Sequence, residues 1–503
     1  MNITELVDLD AAPTALPDDL HGVAPLTNPD ITGLTADSRQ VKPGYLFAAL
    51  KGVATDGRRF AGEAVAKGAV AILTDDAAAL TLDDAARQRV TIITDANPHR
   101  RLALIASRFY PQQPGVIVGV TGTNGKTSVA HFTRELWQAL GRKSASLGTL
   151  GWIAGAEHHS GALTTPDPVA LHQTLGELAG RGIDCAAIEA SSHGLAQYRL
   201  DGIGFAAAAF TNLTRDHLDY HGDMATYRAA KARLFTDLLE PGGTAVLNAD
   251  SPEFAHFAGL MTAHGGRVIA YGKAADAEMR LMDRETRPDG QRISINLFGM
   301  LHRVELKLIG EFQTMNVLAA LGLVIATGSD VAKAAAALEA LTPVPGRMQL
   351  VGEINDAAVF VDYAHTPDAL ETVLAAARPH VTGRLAVVFG AGGDRDRGKR
   401  PLMGRATTTR ADLVYVTDDN PRGEEPAAIR QAILDAAPGA REIGDRRKAI
   451  FAAVAALKPG DVLVIAGKGH ESGQIIGRET LPFDDAVVAA EAIDAATVRR
   501  TAT

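Results

Sequence analysis

A glycine-rich segment between a hydrophobic run and a helical pattern carries the clearest chemistry in this chain. The run Val116–Val120 precedes Gly122–Ser128, and a helical pattern then continues to Leu140. Glycines allow backbone N–H groups to curl around phosphate oxygens, and a helix N-terminus adds partial positive charge. The segment therefore predicts a nucleotide site in which Lys126 reaches the β- and γ-phosphates and Thr127 binds Mg²⁺.

This segment departs from the strict phosphate-loop pattern at one position. The strict pattern has its first glycine where this chain has Val120, and Gly122 lies two residues later. The alternative is a glycine-rich turn that binds no nucleotide. The position of the segment between a buried strand and a helix favours the nucleotide site.

Two further side chains follow predicted strands. Glu189 follows the apolar run Cys185–Ile188, and His217 lies in a polar loop after Ala206–Phe210. A carboxylate at the carboxyl end of a strand faces the ligand crevice and can hold Mg²⁺, although it could also cap a helix. A histidine in a loop is more often structural, so these residues alone leave the role of His217 open.

The elements that must position these side chains fall into three blocks. The stretches Pro111–Gly115 and Pro343–Gly346 separate them and predict domains at residues 1–112, 113–343 and 344–503. In the second and third blocks, buried-strand patterns alternate with helix-length segments. This alternation predicts a parallel α/β sheet in each of these two blocks, and the sheet of the third block should be doubly wound. Ligands should bind at the carboxyl ends of the strands.

The composition limits the functional classes. The chain has 503 residues, a net charge of −9 and one cysteine, Cys185. An acidic chain lacks the basic face of a general nucleic-acid binder, and a lone cysteine fits a reducing cytosol. The N-terminus has no signal-peptide pattern, and no apolar run approaches the ~20 residues that span a bilayer. We expect a cytoplasmic monomer with small-molecule substrates and no nucleic-acid or membrane partner.

Longer motifs along the chain resemble the Mur ligase family, which also includes the folylpolyglutamate synthases. The phosphate loop has the family form Gly-Thr-Asn-Gly-Lys-Thr, and the resemblance extends from about Asp37 into the C-terminal domain. The other matching segments are Glu189–Leu195, Thr211–Gly222, Tyr227–Lys231, Gly310–Asn316, Val361–Pro367, Gly390–Asp396, Asp419–Arg422 and Gly467–Glu471. Taken together, these segments are very specific.

The resemblance implies an α/β fold of three domains. These are an N-terminal α/β UDP-binding domain, a central phosphate-loop ATPase domain with a parallel sheet, and a C-terminal Rossmann-like α/β domain. It also implies an acid–amino-acid ligase that converts ATP to ADP and phosphate. The expected reaction adds meso-diaminopimelate to the D-Glu of UDP-N-acetylmuramoyl-L-alanyl-D-glutamate through an acyl phosphate, in cytoplasmic peptidoglycan synthesis for cell-wall biogenesis, cell shape and division.

The resemblance also assigns roles around ATP. It implies catalytic roles for Lys126, Glu189, His217 and Lys231, and Mg²⁺ binding by Thr127, Glu189, His217 and a carbamylated Lys231. From the residues alone, Lys231 could equally be a lysine whose stem packs on apolar neighbours. Asn316 would contact adenine and Asp362 ribose, although both types commonly cap helices and form turns. The full set implied for ATP is Gly122, Thr123, Asn124, Gly125, Lys126, Thr127, Ser128, Asn316 and Asp362.

The two other substrates are assigned in the same way. The set implied for the UDP-muramoyl-dipeptide is Ala36, Ser38, Val53, Ala54, Thr55, Thr164, Thr165, Ser191, Gln197 and Arg199. The set implied for diaminopimelate is Arg395, Asp419, Asn420, Pro421, Arg422, Gly467 and Glu471. A guanidinium pairs with carboxylates in a forked geometry, which suits Arg199 to the dipeptide and Arg422 to the distal carboxylate of diaminopimelate.

Three alternatives stay open at the level of sequence. A folylpolyglutamate synthase-like ligase would share the phosphate loop but not the UDP-type first domain. A nucleotide-dependent switch without chemistry would not need Glu189, His217 and Lys231. A lysine-adding ligase would leave Arg422 unpaired, because lysine lacks the distal carboxylate.

Overall fold

A four-stranded parallel sheet organises the first part of the chain. The structure is a computed structural model that describes residues 1–7, 28–52, 55–161, 163–287 and 290–501. The strands are β1 (Gly33–Thr35), β2 (Tyr45–Ala48), β3 (Ala71–Thr74) and β4 (Thr91–Thr94), in that order. The helices are α1 (Ile3–Val7), α2 (Ala61–Ala66), α3 (Asp84–Arg87) and α4 (Pro98–Phe109). The predicted α/β character of this domain is confirmed.

An eleven-stranded sheet forms the second part. Its strands in chain order are β5 (Val116–Thr121), β6 (Ser144–Gly148), β7 (Gly151–Ala154), β8 (Glu157–His159), β9 (Cys185–Glu189), β10 (Phe205–Phe210), β11 (Leu239–Asn248), β12 (Arg267–Gly272), β13 (Met279–Arg287), β14 (Gly290–Leu297) and β15 (Met300–Leu306). The helices are α5 (Lys126–Ala139), α6 (Pro168–Gly180), α7 (Ser192–Ala196), α8 (Leu218–His221), α9 (Met224–Thr236), α10 (Phe254–Ala263), α11 (Glu311–Ala326) and α12 (Val331–Ala336).

The interior of this sheet is parallel, whereas both of its edges are antiparallel. The strand order is β15-β14-β13-β12-β11-β10-β5-β9-β6-β7-β8. Neighbours from β13 to β6 are parallel, as predicted. Strands β14 and β15 extend one edge and β7 and β8 the other, all antiparallel. The predicted parallel sheet did not include these edges, because their residues form no buried apolar run; all three residues of β8, for example, are exposed.

A six-stranded sheet forms the third part, with the order β16-β17-β21-β18-β19-β20. Its strands are β16 (Gln349–Ile354), β17 (Ala357–Asp362), β18 (Leu385–Phe389), β19 (Leu413–Val416), β20 (Arg441–Glu442) and β21 (Val462–Ala466). A separate hairpin pairs β22 (Gly473–Ile476) with β23 (Glu479–Pro482). The helices are α13 (Pro367–Ala377), α14 (Lys399–Arg410), α15 (Pro426–Leu434), α16 (Arg446–Ala455) and α17 (Asp485–Thr501). Apolar clusters lie on both faces of the sheet, which agrees with the predicted layering.

The central strands are buried on both faces. Residues of β5, β9 and β10 divide between two apolar clusters, one beneath α5 and α11 and one beneath α6 and α9. Burial on both faces explains why these strands are continuous apolar runs. Cys185, at the start of β9, is fully buried. Among the helices that the structure describes, none is both long and apolar enough to cross a membrane. The domain limits at residues 112 and 343 stay predictions.

Candidate active site

Strands β9, β5 and β10 are neighbours in the sheet, and their carboxyl ends meet at a cavity of about 780 Å³. Residues of the third domain, among them Tyr363 and His365, close its other side. The predicted site residues that line the cavity are Thr123, Asn124, Gly125, Lys126, Thr127, Ser128, Thr164, Glu189, Ser191, His217, Lys231, Asn316 and Asp362. The structure therefore brings the predicted ATP residues and two of the dipeptide residues together.

The glycine-rich loop turns sharply between β5 and α5. Gly122 has φ +148° and Gly125, the residue before α5, has φ +91°. A Cβ atom would clash with Thr211 at Gly122 and with Asn316 at Gly125. Asn212 stabilises the loop, because its side-chain oxygen accepts a hydrogen bond from the Asn124 N–H at 2.9 Å. Glycine is thus required at both turns, and the N-terminus of α5 faces the cavity.

Two lysines donate to one backbone oxygen. Lys126 Nζ lies 2.9 Å from the Gly122 oxygen and 2.8 Å from that of Thr123, and Lys231 Nζ lies 2.8 Å from the Gly122 oxygen. Lys231 is 1% exposed and sits over the Tyr227 ring. Burial lowers the pKa of both lysines, and the Lys126 charge lowers the pKa of Lys231 further. The neutral form of Lys231 is thus easier to reach than that of a solvent-exposed lysine.

Glu189 ends β9 and points into the loop. Its carboxylate accepts hydrogen bonds from Thr127 Oγ1 at 3.0 Å, the Thr149 N–H at 2.8 Å and Thr149 Oγ1 at 3.0 Å. Arg347 Nη2 donates to Thr127 Oγ1 at 3.2 Å. Glu189 is 2% exposed, and the groups bonded to it are neutral. A buried carboxylate of this kind is suited to a cation.

His217 occupies a left-handed turn after β10, with φ +54°. Its Nε2 lies 3.4 Å from Asp216 Oδ2, and its ring packs edge-on against His193. Burial lowers the pKa of His217 despite the neighbouring Asp216 carboxylate. A neutral imidazole can act as a metal ligand. Asp216, which our sequence reasoning left without a role, sits next to a histidine in its motif, the one signal that could have identified it.

The two residues predicted to contact the nucleoside reach the cavity from α11 and β17. Asn316 Nδ2 donates to Gln313 Oε1 at 3.0 Å, and Asn316 is 6% exposed. Asp362 accepts hydrogen bonds from the N–H groups of Met348 and Ala364, each at 2.7 Å. Burial raises the pKa of Asp362 to about 6. Asp362 thus holds the start of the third domain in place as well as lining the cavity.

Four of the residues predicted for the dipeptide form one hydrogen-bonded chain. Thr165 Oγ1 donates to the Glu189 carbonyl at 2.7 Å and accepts from Ser191 Oγ at 2.9 Å. Arg199 donates to the Thr165 carbonyl at 2.6 Å and to Gln197 Oε1 at 2.6 Å. This series of hydrogen bonds begins at Glu189 and includes Ser191, and both of these residues line the cavity.

Three further residues of this set, Ala36, Ser38 and Thr55, lie apart from the cavity. Ser38 is buried after β1, where its hydroxyl donates to Glu63 at 3.5 Å, and Ala36 and Thr55 are exposed. Val53 and Ala54 lie outside the described residues. The structure therefore does not bring the three described residues predicted for UDP to the phosphate loop.

The residues predicted for diaminopimelate gather around the loop after β19. Asn420 Nδ2 donates to Glu471 Oε2 at 3.0 Å, and Asp419 lies near Gly467. Arg422 has φ +51°, and its Nη1 donates to the Gly393 carbonyl at 3.0 Å. Burial lowers the pKa of Arg422, and the nearby Arg395 lowers it further.

The residues predicted for diaminopimelate lie next to the cavity but do not line it. Tyr363, which does line the cavity, donates to Glu471 Oε1 at 3.4 Å. Arg215 of the second domain pairs with Asp396 at 3.1 Å, next to Arg395. The predicted donor residues are therefore adjacent to the predicted ATP residues, across the boundary between the second and third domains.

Three residues that contact the predicted site residues were not predicted from the sequence. Arg347 bridges the linker to Thr127, Thr149 binds Glu189, and Lys468 lies buried among Asp419, Asn420 and Glu471. Lys468 stands between two glycines in the sequence, which is a weak signal of a constrained loop. The other two act through contacts made over long distances in the chain, which no local pattern indicates.

Three family descriptions match consecutive parts of the chain. They are "Mur ligase family, catalytic domain" at residues 30–110, "Mur ligase middle domain" at residues 120–324 and "Mur ligase, glutamate ligase domain" at residues 346–469. Together they account for most of the 503 residues.

Individual relatives match over almost the full length. The chain is 52% identical over 467 residues to the UDP-N-acetylmuramoyl-L-alanyl-D-glutamate–2,6-diaminopimelate ligase of Bradyrhizobium diazoefficiens, covering 92% of this chain and 95% of that protein. It is 51% identical over 473 residues to the enzyme of the same name from Mesorhizobium japonicum, covering 93% and 96%. A solved structure of a ligase of that name has a TM-score of 0.66 at 35% identity, covering 92% of this chain and 95% of that one. This chain belongs to the Mur ligase family.

Proposed function

We propose that this protein is an ATP-dependent ligase that joins meso-diaminopimelate to the D-Glu of UDP-N-acetylmuramoyl-L-alanyl-D-glutamate. The names of the relatives at about half identity support this substrate pair. The observation that carries the proposal is the single cavity shared by Lys126, Glu189, His217 and Lys231, next to the loop of Arg422. The reaction would be a cytoplasmic step of peptidoglycan precursor synthesis, catalysed by a monomer, and would serve cell shape and cell division.

The reaction has two chemical stages. Amide formation from a carboxylate and an ammonium is uphill in water, so ATP first activates the acid. The γ-carboxylate of D-Glu attacks the γ-phosphorus of ATP, and the products are an acyl phosphate and ADP. The neutral amine of diaminopimelate then attacks the acyl carbonyl, and the tetrahedral intermediate loses phosphate and a proton to leave the amide.

The protein contributes positioning and charge neutralisation. Lys126 lies at the start of α5, where the backbone N–H groups and the lysine ammonium can surround the β- and γ-phosphates. Arg199, hydrogen-bonded to Thr165, offers a cation for a carboxylate of the dipeptide. Asn316 and Asp362 line the cavity where adenine and ribose would lie.

The donor set fits Mg²⁺. Thr127, Glu189 and His217, with a carbamylated Lys231, would hold two Mg²⁺ ions. The described residues contain no cluster of three or more histidines, cysteines and acids that could hold a metal. Mg²⁺ usually binds through one or two carboxylates, phosphates and several waters, so Glu189 with the Thr127 hydroxyl suffices for it. When bound, Mg²⁺ offsets the charge of the two anions that react.

The environment of Lys231 favours a carbamate. Its amine is buried, and burial and the Lys126 charge lower its pKa, so the neutral, nucleophilic form is more accessible than in a free lysine. Addition of CO₂ to that nitrogen with loss of one proton gives a carbamate anion. The anion would attract Lys126, whereas the ammonium form repels it, and it would supply oxygen atoms to Mg²⁺.

The donor is selected by charge. Diaminopimelate carries a distal carboxylate and a distal ammonium, and Arg422 and Glu471 offer a partner for each. Lysine offers only the ammonium, so it would leave Arg422 buried without its ligand, which is unfavourable.

Phosphate release tests the proposal. The protein is incubated with ATP, Mg²⁺ and the UDP-muramoyl-dipeptide, with meso-diaminopimelate, L-lysine or no amine. We expect release that depends on the dipeptide and is fastest with diaminopimelate. Equal or faster release with lysine would contradict the role of Arg422. Slow phosphate release at a rate that neither amine changes would instead indicate a nucleotide-dependent switch.

A variant of Arg422 sharpens this test. Arg422→Met should raise the KM for diaminopimelate by at least about tenfold, because a charge-assisted bond to the distal carboxylate is lost. The residual turnover with lysine should not fall. A parallel loss with both donors would indicate a structural role for Arg422.

A further inference from the structure

Lys468 lies at the centre of the loops that surround the proposed amine-donor pocket. Its side chain is 0% exposed. The ammonium donates to Asn420 Oδ1 at 2.7 Å and to the Gly473 carbonyl at 2.8 Å. It also lies 3.5 Å from Asp419 Oδ1 and 3.5 Å from Glu471 Oε2. One buried cation thus contacts three side chains of the pocket.

These contacts determine which way the Asn420 amide faces. Asn420 Oδ1 accepts from Lys468 and from the Ile475 N–H at 3.0 Å, so the NH₂ group must point the other way. It points to Glu471, where it donates to Oε2 at 3.0 Å. A flipped amide would set its NH₂ group against the Lys468 ammonium. Lys468 therefore orients Asn420, and Asn420 orients Glu471.

The same arrangement leaves one acceptor atom of Glu471 free for a ligand. Glu471 Oε2 is engaged by Asn420, whereas Oε1 has only the Tyr363 hydroxyl at 3.4 Å. Asp419 Oδ1 is shielded from solvent and has no hydrogen-bond partner among the residues described, and Lys468 is its nearby cation. A buried, unsatisfied carboxylate oxygen is costly, so Asp419 depends on the charge of Lys468.

We propose that Lys468 is a positioning residue that orders the amine-donor pocket and sets its charge. The inference rests on the proposed function. Asp419, Glu471 and Asp394 contribute three negative charges, and Lys468, Arg422, Arg395 and Lys399 contribute four positive charges, while Arg446 is paired with Asp485. These charges sum to +1 with Lys468 and to zero without it. This excess disfavours a donor of net charge +1, such as lysine, relative to zwitterionic diaminopimelate with no net charge.

The test compares steady-state kinetics of Lys468→Met with those of the wild-type enzyme, for both donors. We expect the KM for diaminopimelate to rise by at least about tenfold, because one partner of a buried charge pair is removed. The kcat should change much less than the KM. The preference for diaminopimelate over lysine, as a ratio of kcat/KM values, should fall about fivefold or more, since the pocket loses a positive charge.

Matched variants separate this role from a general loss of structure. Lys448→Met removes an exposed lysine of the same domain, with 79% of its side chain accessible, and should leave both constants unchanged. Lys468→Arg retains the charge and should recover most of the donor preference. Thermal melting and ATP affinity report folding. If the methionine variant does not fold, Lys468→Gln removes the charge but retains a hydrogen-bond donor for Gly473.

The outcomes are distinct. An unchanged KM for diaminopimelate, or an unchanged donor preference in a folded variant, would overturn the inference. A separate measurement on wild type concerns the proposed function alone. ATP labelled with oxygen-18 at the β,γ-bridge should scramble its label in the presence of the dipeptide without any amine, because acyl phosphate formation is reversible. Absence of scrambling and of amine-dependent turnover would reject the proposed function rather than the role of Lys468.

Discussion

At the scale of single residues, the Gly122 carbonyl is the acceptor for both Lys126 and Lys231. Two ammonium groups at one oxygen repel each other, and both are shielded from water. We propose that Lys231, which is the more buried of the two and lies over an aromatic ring, is the lysine that loses its proton or gains a carbamate group.

A small carboxylate anion should therefore restore part of the activity that is lost when the Lys231 side chain is removed. Lys231→Ala removes the proposed carbamate and should lower kcat by at least about a hundredfold, since the proposed ligand of Mg²⁺ is lost. Formate or acetate at high concentration should restore part of the rate by occupying the space. The Lys448→Met variant, given the same salts, provides the control. Chloride that restores as much activity as acetate would contradict a carboxylate-like role.

The stability of the protein should depend on pH through Lys231. Its pKa in the folded chain lies below the unfolded value of 10.5, so between these values the unfolded chain binds more protons and stability rises with pH. In CO₂-free buffer, Lys231→Met should resist urea better than wild type near neutral pH. The advantage should shrink as pH rises, by at most about 1.4 kcal/mol per pH unit. A constant difference across this range would show that Lys231 keeps its proton.

Some residues of the site could be predicted from local sequence and others could not. Glu189 ends a buried strand, and Lys126 follows another after the glycine-rich loop, so their positions could be predicted from the sequence. Lys231 has no local signal for a neutral amine, because its environment arises from Gly122, which lies more than a hundred residues away. Lys468 was missed for the same reason: its partner Asn420 belongs to a different loop.

At the scale of elements, the junction of β5 and α5 depends on its glycines. Gly125→Ala must adopt φ near +91° and places a methyl group against Asn316. We expect the dissociation constant for ATP to rise by at least about tenfold, because the loop can no longer close on the phosphates. Equilibrium binding of a fluorescent ATP analogue measures the change.

A glycine at the other end of α5 provides the comparison. Gly141 has φ +81°, but no atom lies within 4 Å of a Cβ added there. Gly141→Ala should destabilise the fold by about 1 kcal/mol and leave ATP affinity unchanged. Equal losses of affinity in both variants would mean that stability, rather than loop geometry, controls binding.

The elements themselves were predictable to different degrees. The strands that support the site, β5, β9 and β10, are buried on both faces and therefore stand out as apolar runs. The antiparallel strands at the sheet edges are buried on one face at most, as in β14, or exposed throughout, as in β8, so their sequences mix polar and apolar residues. The prediction was therefore most accurate for the strands closest to the cavity.

At the scale of the whole molecule, the linker between the second and third domains is tied to both. Arg347 donates to Thr127 at 3.2 Å and to the Gly346 carbonyl at 3.0 Å, and Asp362 holds the Met348 N–H. Gly346 has φ +66°, and a Cβ there would overlap the backbone of Gly469 and His470. The linker therefore contacts both the phosphate loop and the loop Gly467–Glu471.

A side chain at Gly346 should separate these parts. Gly346→Ala is expected to lower kcat by about tenfold or more, since small displacements between the reacting groups are costly. Small-angle scattering should show a changed distance between domains. Gly328→Ala, at a residue with φ +94° and open space around it, is the matched control. Normal turnover in Gly346→Ala would show that this contact is not required in the reacting arrangement.

The burial of Cys185 has a practical consequence for measuring such displacements. Its thiol is fully enclosed at the start of β9, and burial raises its pKa to about 11, so very little thiolate exists near neutral pH. Maleimide dyes will therefore react first with cysteines introduced at exposed positions, such as Glu157 in the second domain and Lys448 in the third. The native chain can carry a fluorescence donor and acceptor without removal of its own thiol, and domain movement during turnover becomes directly observable by energy transfer.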